Sequence, residues 1–357
     1  MTTEMDVFKK LAQKLDALPN GFPPTEDGTE LRLLARLFTP EEADLASQLQ
    51  LELKSPFAIA ARLGLDSAAT RKLLKDMTRK GLIAAGPIDD GVGFGLLPFV
   101  VGIYEMQVGR MDRELAELFE AYYPAFGKLL ATRPSVHRVI PVNESIRSDL
   151  EVRPFESAVG IVEANRAWGV VDCICRTQKA LIGEGCQHPV DVCMVLSAQP
   201  NAFDHSKVIR PLTQLQALST LQRAAEAGLV HSVSNNQQGL WYICNCCTCS
   251  CGILRGMADL GLANVVARSA YVNTVDETLC GLCGACIEKC MFDALDLGVQ
   301  LEINAQRCVG CGVCTLVCPE EALNLVLRSE ESGVIIPTTL KDWMVERAQA
   351  RGIPLVD

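Results

Sequence analysis

The chain has 357 residues, 49% of them hydrophobic and 21% charged, enough apolar mass for two or three domains with cores of their own. Lys and Arg total 33 against 43 Asp and Glu, a net charge of −10. That balance argues against nucleic acid as a default partner, because phosphate binding draws on cationic side chains, and it suits docking on basic protein surfaces.

At the N-terminus, MTTEMDVFKK lacks the basic stretch and apolar run of a signal peptide. The longest apolar run, near Phe94 to Tyr104, contains glycine and proline and falls short of the ~20 residues of a membrane helix. No membrane span is expected, and the expected location is the cytoplasm. Pro40 followed by Glu41, Glu42 and Asp44 opens a helix, with acidic groups at its positive end. Ser55-Pro56 starts a second helix, PFAIAARLGL, that Gly64 ends; Asp66 or Ser67 caps a third, AATRKLLKDMTRKGLI. Ala84 to Ile88, the turn Asp89-Asp90-Gly91 and the apolar stretch to Val101 predict a short β-hairpin. This order of helices and hairpin resembles a winged helix-turn-helix domain over about 60 residues. Another helical pattern follows between Gly102 and Ala131.

Beyond Ser135, VHRVIPV is strand-like, and ESAVGIVEANRAWG reads as a helix leading into the first cysteines. PLTQLQALSTLQRAAEAGL, from Pro211 to Leu229, has the proline start, apolar spacing and terminal glycine of an amphipathic helix whose stripe serves core packing.

Seventeen cysteines accompany only four histidines. None precedes Cys173; four fall between Cys173 and Cys193, five between Cys244 and Cys251, and eight between Cys280 and Cys318. An odd number at spacings of one or two residues in a long chain reads as metal ligation in a reducing compartment, not as disulfides. Cys280, Cys283, Cys286 and Cys290 have the spacing C-x2-C-x2-C-x3-C, and Cys308, Cys311, Cys314 and Cys318 repeat it with Pro319 behind. GLCGACIEKCMFDAL and VGCGVCTLVCPEEAL are offset by 28 residues, an internal repeat that predicts two pseudo-symmetric half-sites. Gly281, Gly284, Gly310 and Gly312 let the backbone come close to sulfide.

These runs resemble the bacterial ferredoxins with two [4Fe-4S] clusters. The resemblance implies crossed ligation, in which the fourth cysteine of each run serves the other cluster. One cluster then takes Cys280, Cys283, Cys286 and Cys318, and the other Cys308, Cys311, Cys314 and Cys290. Met291 departs from the proline usual after the fourth cysteine.

Nine cysteines remain: Cys173, Cys175, Cys186, Cys193, Cys244, Cys246, Cys247, Cys249 and Cys251. Soft thiolates select iron–sulfur clusters or zinc, and the neighbouring ferredoxin runs favour one or two additional iron–sulfur clusters. Structural zinc is the alternative, and a cluster using the adjacent Cys246-Cys247 pair is another. Arg176 is a candidate donor to cluster sulfur or an ordinary ion-pair partner. His137, His188, His205 and His231 have no partners in sequence and read as ordinary core or surface residues. No dinucleotide fingerprint, Walker A motif or catalytic constellation is present. The whole layout is similar to multi-cluster ferredoxin-like proteins with an N-terminal winged helix, CxCR and CNCC-type runs and a C-terminal dicluster.

The expected architecture is α+β and multidomain. A helical, winged-helix-like domain spans 1–132, a mixed cysteine-rich domain 133–268, a bacterial-ferredoxin fold 269–328, and a tail 329–357. The expected function is relay of low-potential electrons to redox partner proteins, including a bound oxidoreductase. The alternatives are an iron–sulfur redox sensor acting on DNA through the winged helix, and a reductase whose middle cluster binds substrate. The helix carrying Arg71, Lys72, Lys75, Arg79 and Lys80 is locally basic, but the first 100 residues hold 12 basic and 14 acidic residues.

Overall fold

A computed structural model describes residues 2–142, 154–262, 265–329 and 335–355. The fold is mixed α+β and divides into two compact units, residues 1–132 with 344–357, and residues 133–343.

The first unit holds α1 (Thr2–Asp16), α2 (Thr29–Leu37), α3 (Pro40–Ser47), α4 (Pro56–Leu63), α5 (Ser67–Arg79), the antiparallel hairpin β1 (Ile83–Ile88) and β2 (Gly91–Leu96), and α6 (Arg113–Gly127). Local chemistry sets the helix ends. Thr39 and Glu42 form a reciprocal capping box on α3, Ser55 caps α4, which ends on left-handed Gly64, and Asp66 caps α5. Phe22, Phe99, Phe119 and Tyr122 stack in the core beneath α6. The chain end returns to this unit: Arg347, 1% exposed, donates to the carbonyls of Pro19, Leu129 and Thr132.

The second unit begins with β3 (His137–Val139), α7 (Ala158–Glu163), β4 (Ala167–Val171), α8 (Ile174–Leu181), β5 (Cys193–Ser197), β6 (Arg210–Leu212), α9 (Gln214–Glu226), β7 (Val230–Ser234) and β8 (Tyr242–Cys246). Six of its strands form one antiparallel sheet in the order β3-β7-β8-β5-β4-β6. The helix expected over ESAVGIVEANRAWG stops at Glu163, and β4 begins at Ala167 within the same stretch. There Val170 and Val171 pair with Met194 and Cys193, so sheet pairing overrides the helical reading. Likewise Pro211 lies in β6, and α9 starts behind the Thr213–Gln216 capping box. Met194, Leu196, Val233 and Ile243 share one face of the sheet and pack on Ile161, Val162, Ala217 and Leu221 of α7 and α9. Because side chains alternate along a strand, Cys193, Ser232, Cys244 and Cys246 belong to the opposite face.

The unit continues with α10 (Arg255–Asp259), β9 (Tyr271–Val275), α11 (Ala285–Lys289), β10 (Leu295–Leu297), β11 (Leu301–Ile303) and β12 (Leu323–Leu327). β9 pairs with β12 and β10 with β11, both antiparallel. α12 (Leu340–Arg351) closes the chain within the stretch expected to be a tail. Among the described residues, no helix is long and apolar enough to cross a membrane.

Candidate metal centres

The C-terminal cysteines gather in two groups. A cavity is lined by Cys280, Cys283, Cys286 and Cys318 together with Leu297, Leu301 and Pro319. Burial pushes the Cys286 thiol above its ordinary range, helped by the charges of Cys280, Cys283 and Cys318. In the second group burial raises Cys311 to about 12, with Cys308 and Cys290 adding to it. Burial also raises Cys314, with Cys311, Cys290 and Cys308 beside it. Thiols held protonated by one another and by burial are stable as thiolates only when a cation joins them.

The two groups differ in depth. Cys283 is exposed, and so are Leu279, Leu282, Leu297 and Val299 around the first loop. Cys308 and Cys314 are buried. The second loop is covered: Val142 N–H donates to the Cys311 carbonyl at 2.9 Å, Ser269 N–H to Val309 at 3.0 Å, and Asn273 Nδ2 to Cys314 Sγ at 3.1 Å. Backbone donors reach sulfur with the same offset in both repeats, Ala294 N–H to Cys290 Sγ at 3.4 Å and Ala322 N–H to Cys318 Sγ at 3.3 Å. Such N–H···S bonds stabilise added negative charge at the sulfur. The donor set, the cavity and these bonds fit a pair of [4Fe-4S] clusters.

The nine middle cysteines divide into six and three. Cys173, Cys175, Cys251, Cys246, Cys244 and Cys193 close a ring in which each thiol contacts the next and Cys193 returns to Cys173. The sheet explains the ring. Cys193 starts β5, Cys244 and Cys246 are two residues apart on β8, Cys173 and Cys175 follow β4, and Cys251 precedes α10. Hydrogen bonds from Cys175 and Cys193 hold the Cys173 thiol well below its ordinary range. Contact with the next sulfur, then burial, raises Cys175, Cys193, Cys244 and Cys246. Cys251 is also raised, by Cys246 and burial, against a lowering contact with Cys175. Six thiols in contact cannot all ionise unaided; as a donor set they would draw on the charge of a metal.

Cys247 lies one residue beyond the end of β8. It is fully buried among Val192, Ala224 and Leu229, with Cys186, Ala227 and Met291 packed against them. Adjacent Cys246 and Cys247 thus contact different sets of thiols, Cys246 those of the ring and Cys247 those of Cys186 and Cys249. Cys186, His188, Cys247 and Cys249 bring one ligand atom each to within 4.8 Å of all the others. His188, unremarkable in sequence, is the group member that spacing missed; a C-x-H signal two residues after Cys186 was available. Burial would raise Cys186, but hydrogen bonds from Ser250 and His188 hold it at about 6. Burial and Cys247 push Cys249 up to about 12.

Arg176 stands beside both middle groups. It is 2% exposed, donates through Nη1 and Nη2 to the Asn245 carbonyl at 3.1 Å, and places Nη1 3.7 Å from Cys247 Sγ. Burial would lower its pKa, but the charges of Cys173, Cys193 and Cys247 raise it above the ordinary guanidinium value. His137 and His231 are buried and held neutral, their pKa lowered to about 4 by burial. His231 Nδ1 is hydrogen-bonded to Asn245 Oδ1 and His137 Nδ1 lies 3.4 Å from Ser232 Oγ, so both are core residues.

A family model of the 4Fe-4S binding domain matches residues 301–324, which include Cys308, Cys311, Cys314 and Cys318. No curated protein and no solved structure matches the chain.

Proposed function

We propose that this chain is an iron–sulfur electron-transfer protein that passes low-potential electrons to a partner oxidoreductase in the cytoplasm. Cys280, Cys283, Cys286 and Cys318 would hold one [4Fe-4S] cluster, and Cys308, Cys311, Cys314 and Cys290 the other. The ring of Cys173, Cys175, Cys193, Cys244, Cys246 and Cys251 would hold a further iron–sulfur centre. When bound, each [4Fe-4S] cluster supplies one-electron storage at a potential set by N–H···S bonds, nearby charge and burial.

The observation that carries the reading is that three sulfur groups stand in one compact unit and that the first of them has a thiol, Cys283, exposed at the surface. Cys283 sits at an apolar surface rim, Cys308 and Cys314 are buried, and the residue after Cys290, Met291, packs against the cluster of Val192, Ala224, Leu229 and Cys247. Met291, the departure from the usual proline, thereby packs the ferredoxin repeat against the cysteine-rich middle region. The rim of Leu279, Leu282 and Val299 suits transient docking of a redox partner. We read helices α3, α4 and α5 with the β1–β2 hairpin as a winged-helix-like module that grips protein, and residues 269–328 as the ferredoxin module.

Iron and acid-labile sulfide per chain, counted on anaerobically purified protein, test the reading. The expected value is twelve irons, eight from the C-terminal cysteines and four from the ring. Cys318→Ala is expected to lose the cluster served by Cys280, Cys283 and Cys286. Eight irons would remove the middle centre, and four would remove the dicluster.

A further inference from the structure

The loop between α8 and β5 meets the chain leaving β8. There Cys186 Sγ lies 4.0 Å from Cys247 Sγ, and Cys249 Sγ lies 3.6 Å from His188 Nδ1. A tetrahedral zinc ion with bonds of ~2.3 Å to sulfur and ~2.0–2.1 Å to nitrogen sets edges of about 3.8 Å between sulfurs and about 3.6 Å from sulfur to nitrogen. All four ligand atoms lie within 4.8 Å of one another, which satisfies that small tetrahedron. The quartet includes an imidazole nitrogen, which suits zinc with mixed sulfur and nitrogen ligands, whereas ferredoxin-type cubanes are held by four thiolates.

We propose that Cys186, His188, Cys247 and Cys249 form a mononuclear zinc site, closed by four protein ligands and separate from the six-sulfur ring. Three thiolates and one zinc ion leave a single negative charge, and buried Arg176, 3.7 Å from Cys247 Sγ, supplies the matching positive one. Ser250 Oγ, 3.4 Å from Cys186 Sγ, adds an outer hydrogen bond of the kind that orients a thiolate. With no position left for water or substrate, the ion is structural. It ties the loop carrying Cys186 to the end of β8, beside the strand ends that carry the ring. Exposed Cys249 gives the ion a way in from solvent, while buried Cys247 anchors the inner corner.

The full-length protein, purified anaerobically, tests this by elemental analysis and zinc X-ray absorption. One zinc per chain is expected, with three sulfurs and one nitrogen around it. In His188→Ala and Cys249→Ser, zinc retention against a chelator should fall by at least roughly 100-fold, beyond the 10–100-fold typical of outer-shell changes, with iron content unchanged. Cys193→Ser, in the ring, should keep its zinc. Absence of zinc from the wild type, a shell of four sulfurs, iron in place of zinc, or loss of iron in His188→Ala would each overturn the assignment. If a variant fails to fold, the nitrogen in the wild-type shell still decides it. The electron-transfer reading fails on a different result, a low iron count with the zinc in place.

Discussion

Arg176 shows how one buried side chain can set the electrical conditions of a metal-binding region. Among the described residues it forms no ion pair with a carboxylate; its donors go to the Asn245 carbonyl and toward Cys247 Sγ. A buried guanidinium isolated from carboxylates favours anionic neighbours, and here the sulfurs of two cysteine groups lie beside it. Its sequence position directly after Cys175 made it a candidate donor to sulfur. The sulfur it reaches, Cys247, lies 71 residues away and only the fold brings it close. A unit charge ~6 Å from a redox centre, at an effective dielectric of ~20, contributes about 3 kcal/mol, on the order of 100 mV for one electron. Arg176→Met should therefore lower the midpoint potential of the ring-bound centre by that order and leave the two C-terminal potentials unchanged. Redox titration followed by EPR reads this directly; unchanged potentials throughout would show that Arg176 acts on packing alone.

At the level of elements, the two cysteine loops are repeats built to different tolerances. The 28-residue offset was legible in the sequence, as were the eight ligand candidates. The glycine pattern was not fully legible, because its reasons lie in what each loop packs against. Leu282 and Gly310 are equivalent by the offset, and both are left-handed, with φ of 54° and 70°. Leu282, 42% exposed, sits at the rim of the first cavity with room for its side chain, whereas a Cβ on Gly310 would run into the Tyr271 carbonyl and Ser269 Oγ. Gly310→Ala should thus cost roughly 2–5 kcal/mol through strain and overpacking and should release the cluster served by Cys308, Cys311 and Cys314. Leu282→Gly should leave both clusters in place. Iron counts and melting curves on the two variants check the contrast; equal damage from both would mean that the close approach at Gly310 does not matter. The CNCCTCSC run teaches the same lesson. Its spacing alone left the adjacent pair ambiguous; β8 puts Cys244 and Cys246 on one face and ends there, and Cys247, one residue past the strand, packs among Val192, Ala224 and Leu229.

For the whole molecule, charge and its local use decide between a protein partner and DNA. A winged helix reads DNA through cations on its recognition helix, and α5 looked well supplied in sequence. Two of those five cations are engaged elsewhere. Lys80 Nζ lies 2.7 Å from the carboxylate of Glu42, itself 3% exposed, and Arg79 pairs with Asp76 at 2.6 Å. Glu42 also accepts from Thr39 N–H through its other oxygen at the start of α3, so the cap holds in place the carboxylate that Lys80 pairs with. Arg71, Lys72 and Lys75 remain exposed on α5, in a chain of net charge −10. Three phosphate contacts give a salt slope near −0.9 per contact, about −2.7 in all, which is the footprint of weak and sequence-independent binding. At physiological salt the dissociation constant for genomic DNA fragments should be no tighter than about 10⁻⁶ M, at the edge of the non-specific range. Fluorescence anisotropy across a salt series measures both quantities. Binding to one operator below about 100 nM, lost on charge reversal at Arg71, Lys72 and Lys75, would transfer the function from electron carrier to iron–sulfur regulator. Weak, shallow binding would count against the DNA-binding reading and leave the proposed electron carrier in place.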